Sequence, residues 1–185
     1  MALTKTPVCD FGKKAEDFKL KSINNKVITL NDIKGEKATL IMFICNHCPY
    51  VKAIIKDLAK DCNELRNDGI NSVAIMSNDT KNYPEDSFDN MINFADDNNF
   101  GTINYLFDET QEIAKKYGAV CTPDFFGYNK NLELQYRGRF RELKDLKPIN
   151  NGDSDLKIAM KMVAQTQKGP DEQIPSMGCN IKWFN

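Results

Sequence analysis

The chain has 185 residues, of which 41% are apolar, 25 are basic and 26 are acidic, giving a formal net charge of −1. A chain of this length typically forms one domain, so we expect residues 1–185 to fold as a single unit. The two charge signs are interspersed, which excludes nucleic acid as a main partner, and no stretch approaches the roughly 20 apolar residues of a membrane span.

The N-terminal segment lacks the apolar core of a secretory signal, which predicts a cytoplasmic location. The chain contains six cysteines. In a reducing compartment such thiols stay reduced, and they serve catalysis or metal binding more often than structural disulfides. The cysteines are therefore the first candidates for functional residues.

In the first half of the chain, hydrophobic spacing predicts strands and one long helix. Continuous apolar runs are typical of central strands covered on both faces, and a proline suits the first position of a helix. The predicted elements are a β-hairpin with strands at 17–21 and 26–30, a turn at 31–35, a central strand at 38–44, a helix at 49–67, a buried strand at 70–77 and a loop at 78–84.

The second half begins with the same alternation and ends with an antiparallel pair. The predicted elements are a helix at 85–98, a strand at 103–107, a helix at 109–117 stopped by Gly118, a hairpin with strands at 124–128 and 132–140, a last helix at 153–167 and an irregular tail from 168. This order predicts an α/β fold in which helices flank a mixed central sheet.

The segment Cys45-Asn46-His47-Cys48-Pro49 lies between the central strand and the long helix, and it holds the only histidine of the chain. A thiol at this junction is close to free backbone N–H groups and to the positive end of the helix dipole. Those groups stabilise the thiolate, which is the reactive form of cysteine. The segment therefore predicts thiol redox chemistry, with Cys48 at the start of the helix as the reactive thiolate.

Four motifs carry a resemblance to a known family. Together with the element order, they resemble the peroxiredoxin-like thioredoxin-fold proteins of the alkyl-hydroperoxide-reductase/thiol-specific-antioxidant (redoxin) superfamily. The resemblance covers nearly the whole chain and implies a thioredoxin fold with an N-terminal β-hairpin extension. The motifs are Cys45-Asn46-His47-Cys48-Pro49-Tyr50-Val51, Val120-Cys121-Thr122-Pro123-Asp124, Tyr136-Arg137-Gly138-Arg139 and Pro175-Ser176-Met177-Gly178-Cys179.

The chain departs from the thioredoxin pattern and from true peroxiredoxins. In the register of the fold, Cys48 occupies the helix-capping site, Cys45 falls in the preceding loop, and Val51 takes the place of the usual second cysteine. The peroxide-reducing cysteine of peroxiredoxins also corresponds to about Val51. A weak thiol peroxidase built on Cys48 is therefore an alternative function, in which Arg137 or Arg139 binds the peroxide.

The resemblance implies a cis Thr122–Pro123 bond facing the reactive thiol. Thr122 and Pro123, together with Pro49, are expected to shape the substrate groove. Cys121, two residues before Pro123, is the first candidate for the thiol that resolves a bond formed by Cys48.

Two further thiols are candidates for the same resolving role. Cys45 is the second, provided that the loop bends, and Cys179 in the predicted irregular tail is the third. Cys62 lies on the apolar stripe of its helix and is expected to be a core residue. Cys9 is expected to have no role.

His47 has three interpretations. It could lower the pKa of Cys48 or relay a proton, or it could bind a soft metal such as copper or zinc together with Cys45 and Cys48, or it could be an exposed loop residue. For Arg137 and Arg139, which alternate along one predicted strand, exposure to solvent is favoured over a position beside the active site.

The sequence thus predicts a cytoplasmic thiol–disulfide oxidoreductase with an antioxidant role. It would need no organic cofactor, it would act on a protein disulfide or a small oxidant, and an external thiol reductant such as a thioredoxin would restore it. A weak peroxidase, a soft-metal delivery protein and an interaction module with inert thiols are the alternatives.

Overall fold

A computed structural model describes residues 3–184. The strands, in chain order, are β1 (Leu3–Lys5), β2 (Lys19–Ser22), β3 (Val27–Thr29), β4 (Ala38–Phe43), β5 (Ile70–Met76), β6 (Asn104–Phe107), β7 (Cys121–Thr122), β8 (Asp124–Asn129), β9 (Leu134–Tyr136), β10 (Leu143–Lys144), β11 (Lys147–Pro148) and β12 (Met177–Asn180). The helices are α1 (Leu30–Ile33), α2 (Pro49–Lys52), α3 (Ile55–Leu65), α4 (Phe88–Asp97), α5 (Glu112–Tyr117) and α6 (Asp155–Thr166).

A seven-stranded sheet forms the centre of the molecule, in the order β3-β2-β6-β5-β4-β8-β9. The β4–β5 and β5–β6 pairs are parallel, whereas β2, β3, β8 and β9 join the sheet in antiparallel pairs. The predicted α/β class, with a mixed sheet flanked by helices and an N-terminal hairpin, is confirmed.

The central strand β4 is buried on both faces, as its continuous apolar run predicts. Leu40 and Met42 pack in one hydrophobic cluster with α3, α4 and α6, while Ile41 and Phe43 pack in the other with α1 and α5. Successive side chains of a strand point to opposite faces, so one apolar run supplies both layers of the core. This burial fixes the position of the loop that follows β4.

The sequence predicted an irregular tail from residue 168, but the tail contains one strand. Strand β12 (Met177–Asn180) pairs with β1 on one side and with β7 on the other, in a small three-stranded sheet. Its sequence lacks the β-branched residues that mark a strand, and its partners lie far away along the chain. The pairing therefore depends on tertiary contacts that local sequence does not encode, and it brings Cys179 beside Thr122.

The prediction of one continuous helix at 49–67 is wrong. It is divided into α2, α3 and a 3₁₀ turn at Arg66–Asp68. The Ile54 N–H bonds to the Val51 carbonyl, three residues back, and Leu58 then bonds to Ile54 in the α pattern. This switch in hydrogen bonding interrupts the helix after one turn, although no glycine or interior proline marks the position.

The boundaries of several other elements differ from the predicted ones. The helix predicted from 85 begins at Phe88, because a 3₁₀ turn occupies Pro84–Asp86 and the Ser87 side chain caps the helix. The predicted turn at 31–35 contains the short helix α1, capped by Thr29. The strand predicted at 132–140 is reduced to β9, and α5 is shorter than expected but ends at Gly118 in a left-handed conformation.

Within residues 3–184, no helix is both long and apolar enough to cross a membrane.

Candidate functional site

Two loops meet at the end of the central strand β4. One is the loop at 44–48 that leads into α2, with Cys48 as the N-cap residue of that helix. The other carries the Thr122–Pro123 peptide bond between β7 and β8, and this bond is cis, as the resemblance implies. The pairing of Phe43 with Asp124 joins the two loops at their base.

Four buried thiols surround this junction, and all are free: Cys45, Cys48, Cys121 and Cys179. Cys45 Sγ lies 3.3 Å from Thr122 Oγ1, and the protonated Cys48 thiol donates to the Thr122 carbonyl oxygen at 3.1 Å. Cys179 faces Thr122 across the β12–β7 pair. The threonine before the cis bond is therefore the common neighbour of three of the thiols.

The pKa of Cys48 is lowered from 9.0 to about 5, and the main cause is a hydrogen bond from the Cys45 thiol. Burial opposes this shift, while the side chain and backbone N–H of Cys179 add to it. The Thr122 carbonyl favours the protonated thiol, whereas the donors from Cys45 and Cys179 favour the thiolate. The N–H of Val51 in the short helix α2 contributes less, so neighbouring thiols, more than the expected helix dipole, stabilise the charge.

Cys45 has the opposite property. Its pKa is raised well above 9.0, chiefly because its S–H donates to Cys48 and also because it is buried and lies near the Asp86 carboxylate. A thiol held protonated beside a thiolate is the arrangement in which the first acts as donor and the second as nucleophile. The two cysteines of the loop are thus a polarised pair.

The pKa values of the two remaining thiols of the site are raised, which favours their protonated forms. Burial raises the pKa of Cys179 to about 12, and hydrogen bonding to Cys48 adds to the rise. Burial also raises the pKa of Cys121, whose Sγ contacts the Pro123 carbonyl oxygen at 3.5 Å rather than Cys48. Cys121 was the first candidate for the resolving thiol on sequence grounds, and that choice stays a prediction. Cys48 contacts the Thr122 carbonyl, and Cys45 and Cys179 are the thiols that lower its pKa.

His47 is not the exposed loop residue that one interpretation expected. Its side chain is 14% exposed and stacks on the Tyr83 ring, with 5.6 Å between centroids. Its Nδ1 lies 2.7 Å from Asp86 Oδ2, and this bond raises the pKa of His47 above 6.5. Since a carboxylate only accepts, Nδ1 carries the proton. Nε2 is buried, and within residues 3–184 it has no hydrogen-bond partner.

Asp86 is a site residue that the sequence analysis did not identify. Its fully buried carboxylate accepts from the backbone N–H of Asn46 and His47, at 2.8 and 3.3 Å, from the His47 ring and from Asn78 Nδ2 at 2.8 Å. Asn46 Oδ1 in turn accepts from the Tyr105 hydroxyl at 2.9 Å. Asp86 is 38 residues beyond Cys48 in a predicted helix start, so no local pattern distinguished it from a surface charge.

Metal binding by Cys45, His47 and Cys48 was an alternative interpretation. The group whose ligand atoms all lie within 4.8 Å of one another, in the part of the chain that is described, is instead Cys45, His47 and Asp86. The Asp86 oxygens already accept four hydrogen bonds from protein groups. A metal would have to displace these donors, so the group is better explained as an anchor for the loop.

Arg137 is not exposed to solvent, contrary to the sequence-based preference, while Arg139 is partly exposed. Arg137 is buried, pairs with Asp124 at 3.0 Å and lies over the Phe126 ring at 4.4 Å. Arg139 bonds to Asp155 at 2.6 Å and lies at the rim of the groove described next. Arg137 faces a different pocket, so of the two arginines only Arg139 lines the groove beside Pro123.

A groove of about 500 Å³ runs past the cis peptide. Pro123, Tyr50 at the start of α2, and Ser176 and Met177 before Cys179 line it. Pro49 does not. Cys48 itself is 0% exposed, so any substrate in the groove reaches its sulfur only after a local movement of the covering segments.

Cys62, as predicted, is a core residue, and Cys9 lies half-buried near Arg137.

Comparisons with known proteins agree with this architecture. The AhpC/TSA family profile matches residues 11–140. An uncharacterized conserved protein from Geobacillus kaustophilus is 38% identical, with a TM-score of 0.94 over 100% of this chain and 97% of the other. A hypothetical protein, SMc02350 from Sinorhizobium meliloti 1021, is 36% identical, with a TM-score of 0.90 and 98% of each chain covered.

A secreted disulfide oxidoreductase of Mycobacterium tuberculosis, homologous to DsbE of E. coli, is 17% identical, with a TM-score of 0.54 over 64% of this chain and 80% of the other. At that identity it shows a shared fold only. No curated protein matches the chain.

Proposed function

Since the chain belongs to the AhpC/TSA family, we propose that it is a thiol–disulfide oxidoreductase in which Cys48 attacks and Cys45 resolves. The observation that carries the proposal is the meeting of the two thiols at Thr122, where Cys45 Sγ lies 3.3 Å from the hydroxyl oxygen and Cys48 Sγ 3.1 Å from the carbonyl oxygen. The Cys45 thiol is also the main cause of the lowered pKa of Cys48, about 5. A thiolate at neutral pH with a protonated thiol beside it is what disulfide exchange requires.

The proposed reaction has two steps. The Cys48 thiolate attacks a substrate disulfide, forming a mixed disulfide and releasing one substrate thiolate. Cys45 then attacks Cys48 Sγ, closing a Cys45–Cys48 disulfide and releasing the second substrate thiolate. An external thiol reductant, such as a thioredoxin, returns the pair to the dithiol. The groove beside Pro123 would hold the substrate, with Arg139 at its rim.

Disulfide exchange has more support than peroxide reduction. Val51, at the position of the peroxidatic cysteine, is buried, and Arg137 and Arg139 are each engaged by a carboxylate. The main causes of the low pKa of Cys48 are thiol and backbone donors, not a cation. An antioxidant role would then follow from repair of oxidised thiols. A cytoplasmic location stays a prediction.

Trapping of the mixed disulfide tests the proposal. The Cys45→Ser variant, treated with a stoichiometric disulfide substrate such as oxidised glutathione, should accumulate an adduct on Cys48 that peptide mass spectrometry identifies. The Cys62→Ser variant, as the matched control, should turn over and accumulate none. An adduct on another cysteine, or none at all, would contradict the proposal. Metal content of protein purified without chelator tests the soft-metal alternative in the same preparation.

A further inference from the structure

The tail strand β12 lies against the loop that contacts the reactive thiol. Cys179 is opposite Thr122 in the β12–β7 pair, and the carbonyl oxygen of Thr122 is the one that Cys48 Sγ contacts at 3.1 Å. Cys48 and Cys179 are 0% and 4% exposed and belong to the same hydrophobic cluster. The strand is therefore part of the immediate surroundings of the thiol.

The tail is held against the cis-peptide loop on both sides of Cys179. Before Cys179, the Ser176 hydroxyl donates to the Pro123 carbonyl oxygen at 2.8 Å. After it, the N–H of Ile181 donates to the Val120 carbonyl oxygen at 3.3 Å. The strand cannot move away from the loop at Cys179 without loss of at least one of these bonds.

The close approach of the strand to this loop depends on a glycine. A Cβ at Gly178 would overlap the carbonyl oxygen of Thr122 and would lie 2.7 Å from its carbonyl carbon. Gly178 does not have a left-handed backbone, so the need for glycine comes from space alone. The overlapping atoms belong to the backbone and cannot turn aside as a flexible side chain could. A larger residue at this position would therefore push β12 away from Thr122.

We propose that β12 is the cover of the reactive thiol and that Cys179 is a positioning residue, which favours the Cys48 thiolate through its backbone N–H and its S–H. This rests on the proposed function and adds a further residue to it. Both groups of Cys179 are among the causes of the low pKa of Cys48. Met177, which lines the groove, and Cys179 lie on the same face of the strand, so they move together. Docking of β12 thus favours ionisation, and its displacement opens the sulfur to a substrate.

Two substitutions separate the cover from the donor. Gly178→Ala displaces the strand, whereas Cys179→Ala removes the S–H and keeps the backbone N–H. Gly152→Ala is the matched control, since the nearest atom to its added Cβ is Asn150 Oδ1, at an ordinary 3.5 Å. The rate at which iodoacetamide labels Cys48 is measured against pH by peptide mass spectrometry. The midpoint of this profile reports ionisation, and the plateau above it reports access to the sulfur.

The expected changes differ between the two variants. The midpoint should rise by about two pH units in Gly178→Ala and by about one in Cys179→Ala, because each donor to a charged group shifts a pKa by about one unit. The plateau rate should increase severalfold in Gly178→Ala, where the cover is displaced, and should be unchanged in Cys179→Ala. Gly152→Ala should match the wild type in both respects. Cys62, which is buried in the core, should stay unlabelled in every folded variant.

The conservative variant Cys179→Ser distinguishes a donor from a packing effect. Its hydroxyl still donates, so its midpoint should lie closer to that of the wild type than the midpoint of Cys179→Ala. Equal midpoints in the serine and alanine variants, both above the wild type, would overturn the role of the Cys179 S–H. If labelling of Cys62 shows that Gly178→Ala unfolds, this pair of variants decides the outcome.

Failure of this inference can be told from failure of the proposed function. Wild-type midpoints and plateaus in both Gly178→Ala and Cys179→Ala would overturn the inference alone, if oxidised glutathione still forms an adduct on Cys48 in Cys45→Ser. A wild-type midpoint near 9.0, with no adduct on Cys48, would overturn the proposed function. A raised midpoint in Gly178→Ala without a higher plateau would show that β12 is not the cover.

Discussion

Cys48 and Cys62 are equally buried, yet the pKa values of their thiols shift in opposite directions. Cys48 is 0% exposed and Cys62 1%. The pKa of Cys48 is lowered to about 5 by donors from Cys45 and Cys179, whereas burial raises that of Cys62 to about 12. Burial favours the protonated thiol, and only several hydrogen-bond donors together, as at Cys48, outweigh it and favour the thiolate.

The difference follows from backbone architecture. Cys62 lies in the middle of α3, where backbone N–H groups are occupied within the helix, and the one side-chain donor that acts on it, Ser72, does not offset the effect of burial. Cys48 lies at the junction of two loops and next to a terminal strand, where free N–H groups and other thiols converge. The following predictions test this contrast, starting with the largest effect.

The largest expected effect is the difference in alkylation rate between the two thiols. With pKa values of about 5 and 12, Cys48 is almost fully ionised at pH 7, while Cys62 has a thiolate fraction on the order of 10⁻⁵. Brief treatment of the native, reduced protein with iodoacetamide should label Cys48 and leave Cys62 unlabelled in peptide mass spectrometry. Comparable labelling of the two would show that the donors around Cys48 do not determine its ionisation.

Removal of the principal donor should make Cys48 more like Cys62. In Cys45→Ala, the pKa of Cys48 is expected to rise from about 5 toward 9.0, because the first cause of its lowering is gone. Each unit of increase reduces the thiolate fraction, and with it the reactivity at pH below the new pKa, about tenfold. Ultraviolet thiolate absorbance during a pH titration measures the shift.

Cys45→Ser is the matched control for this prediction. Its hydroxyl still donates, so the pKa of Cys48 should rise less than in Cys45→Ala. Equal shifts in the two variants would mean that the loss of packing, and not the loss of a donor, changes the pKa.

The contrast should also appear in stability. The pKa of Cys48 is lower in the folded state than its ordinary 9.0, so its stabilising contribution is fully present above pH 9 and is lost as the pH falls toward about 5. The difference in unfolding free energy between wild type and Cys48→Ala should therefore grow with pH in this window, by up to about 1.4 kcal/mol per unit. Urea denaturation of the reduced proteins at several pH values measures it, and a difference that shrinks with pH would contradict the account.

The smallest effect is expected for Cys62. Cys62→Ala removes one buried sulfur from the core and should destabilise the protein by about 1 kcal/mol through lost burial and a small cavity. The alkylation rate of Cys48 should be unchanged, because the Cys62 side chain packs in the core and is not among the groups that act on Cys48. A slower Cys48 in this variant, at equal folded fraction, would reveal a coupling between core and site that the contacts do not show.

The sequence predicted a thiol at the start of a helix, and the choice of its resolving partner among Cys121, Cys45 and Cys179 stays a prediction. Cys48 follows the apolar run of β4 and precedes Pro49, and both signals are local. The position of Cys45 relative to Cys48 depends on the geometry of the loop at 44–48. Asp86 holds that loop through the backbone N–H groups of Asn46 and His47, and only the folded structure shows these contacts. Arg137 was placed in solvent because a short alternating strand does not reveal that Asp124 lies opposite it.

The sequence by itself determined the order of elements, the buried central strand and the presence of a thiol at the start of a helix, because hydrophobic periodicity and a helix-opening proline act over a few residues. Only the tertiary structure decided which groups surround that thiol. The Asp86 carboxylate, the Thr122–Pro123 turn and the Cys179 strand come from distant parts of the chain. Their effect on Cys48 and His47 depends on distances of 3 to 5 Å, which arise only when the sheet has assembled.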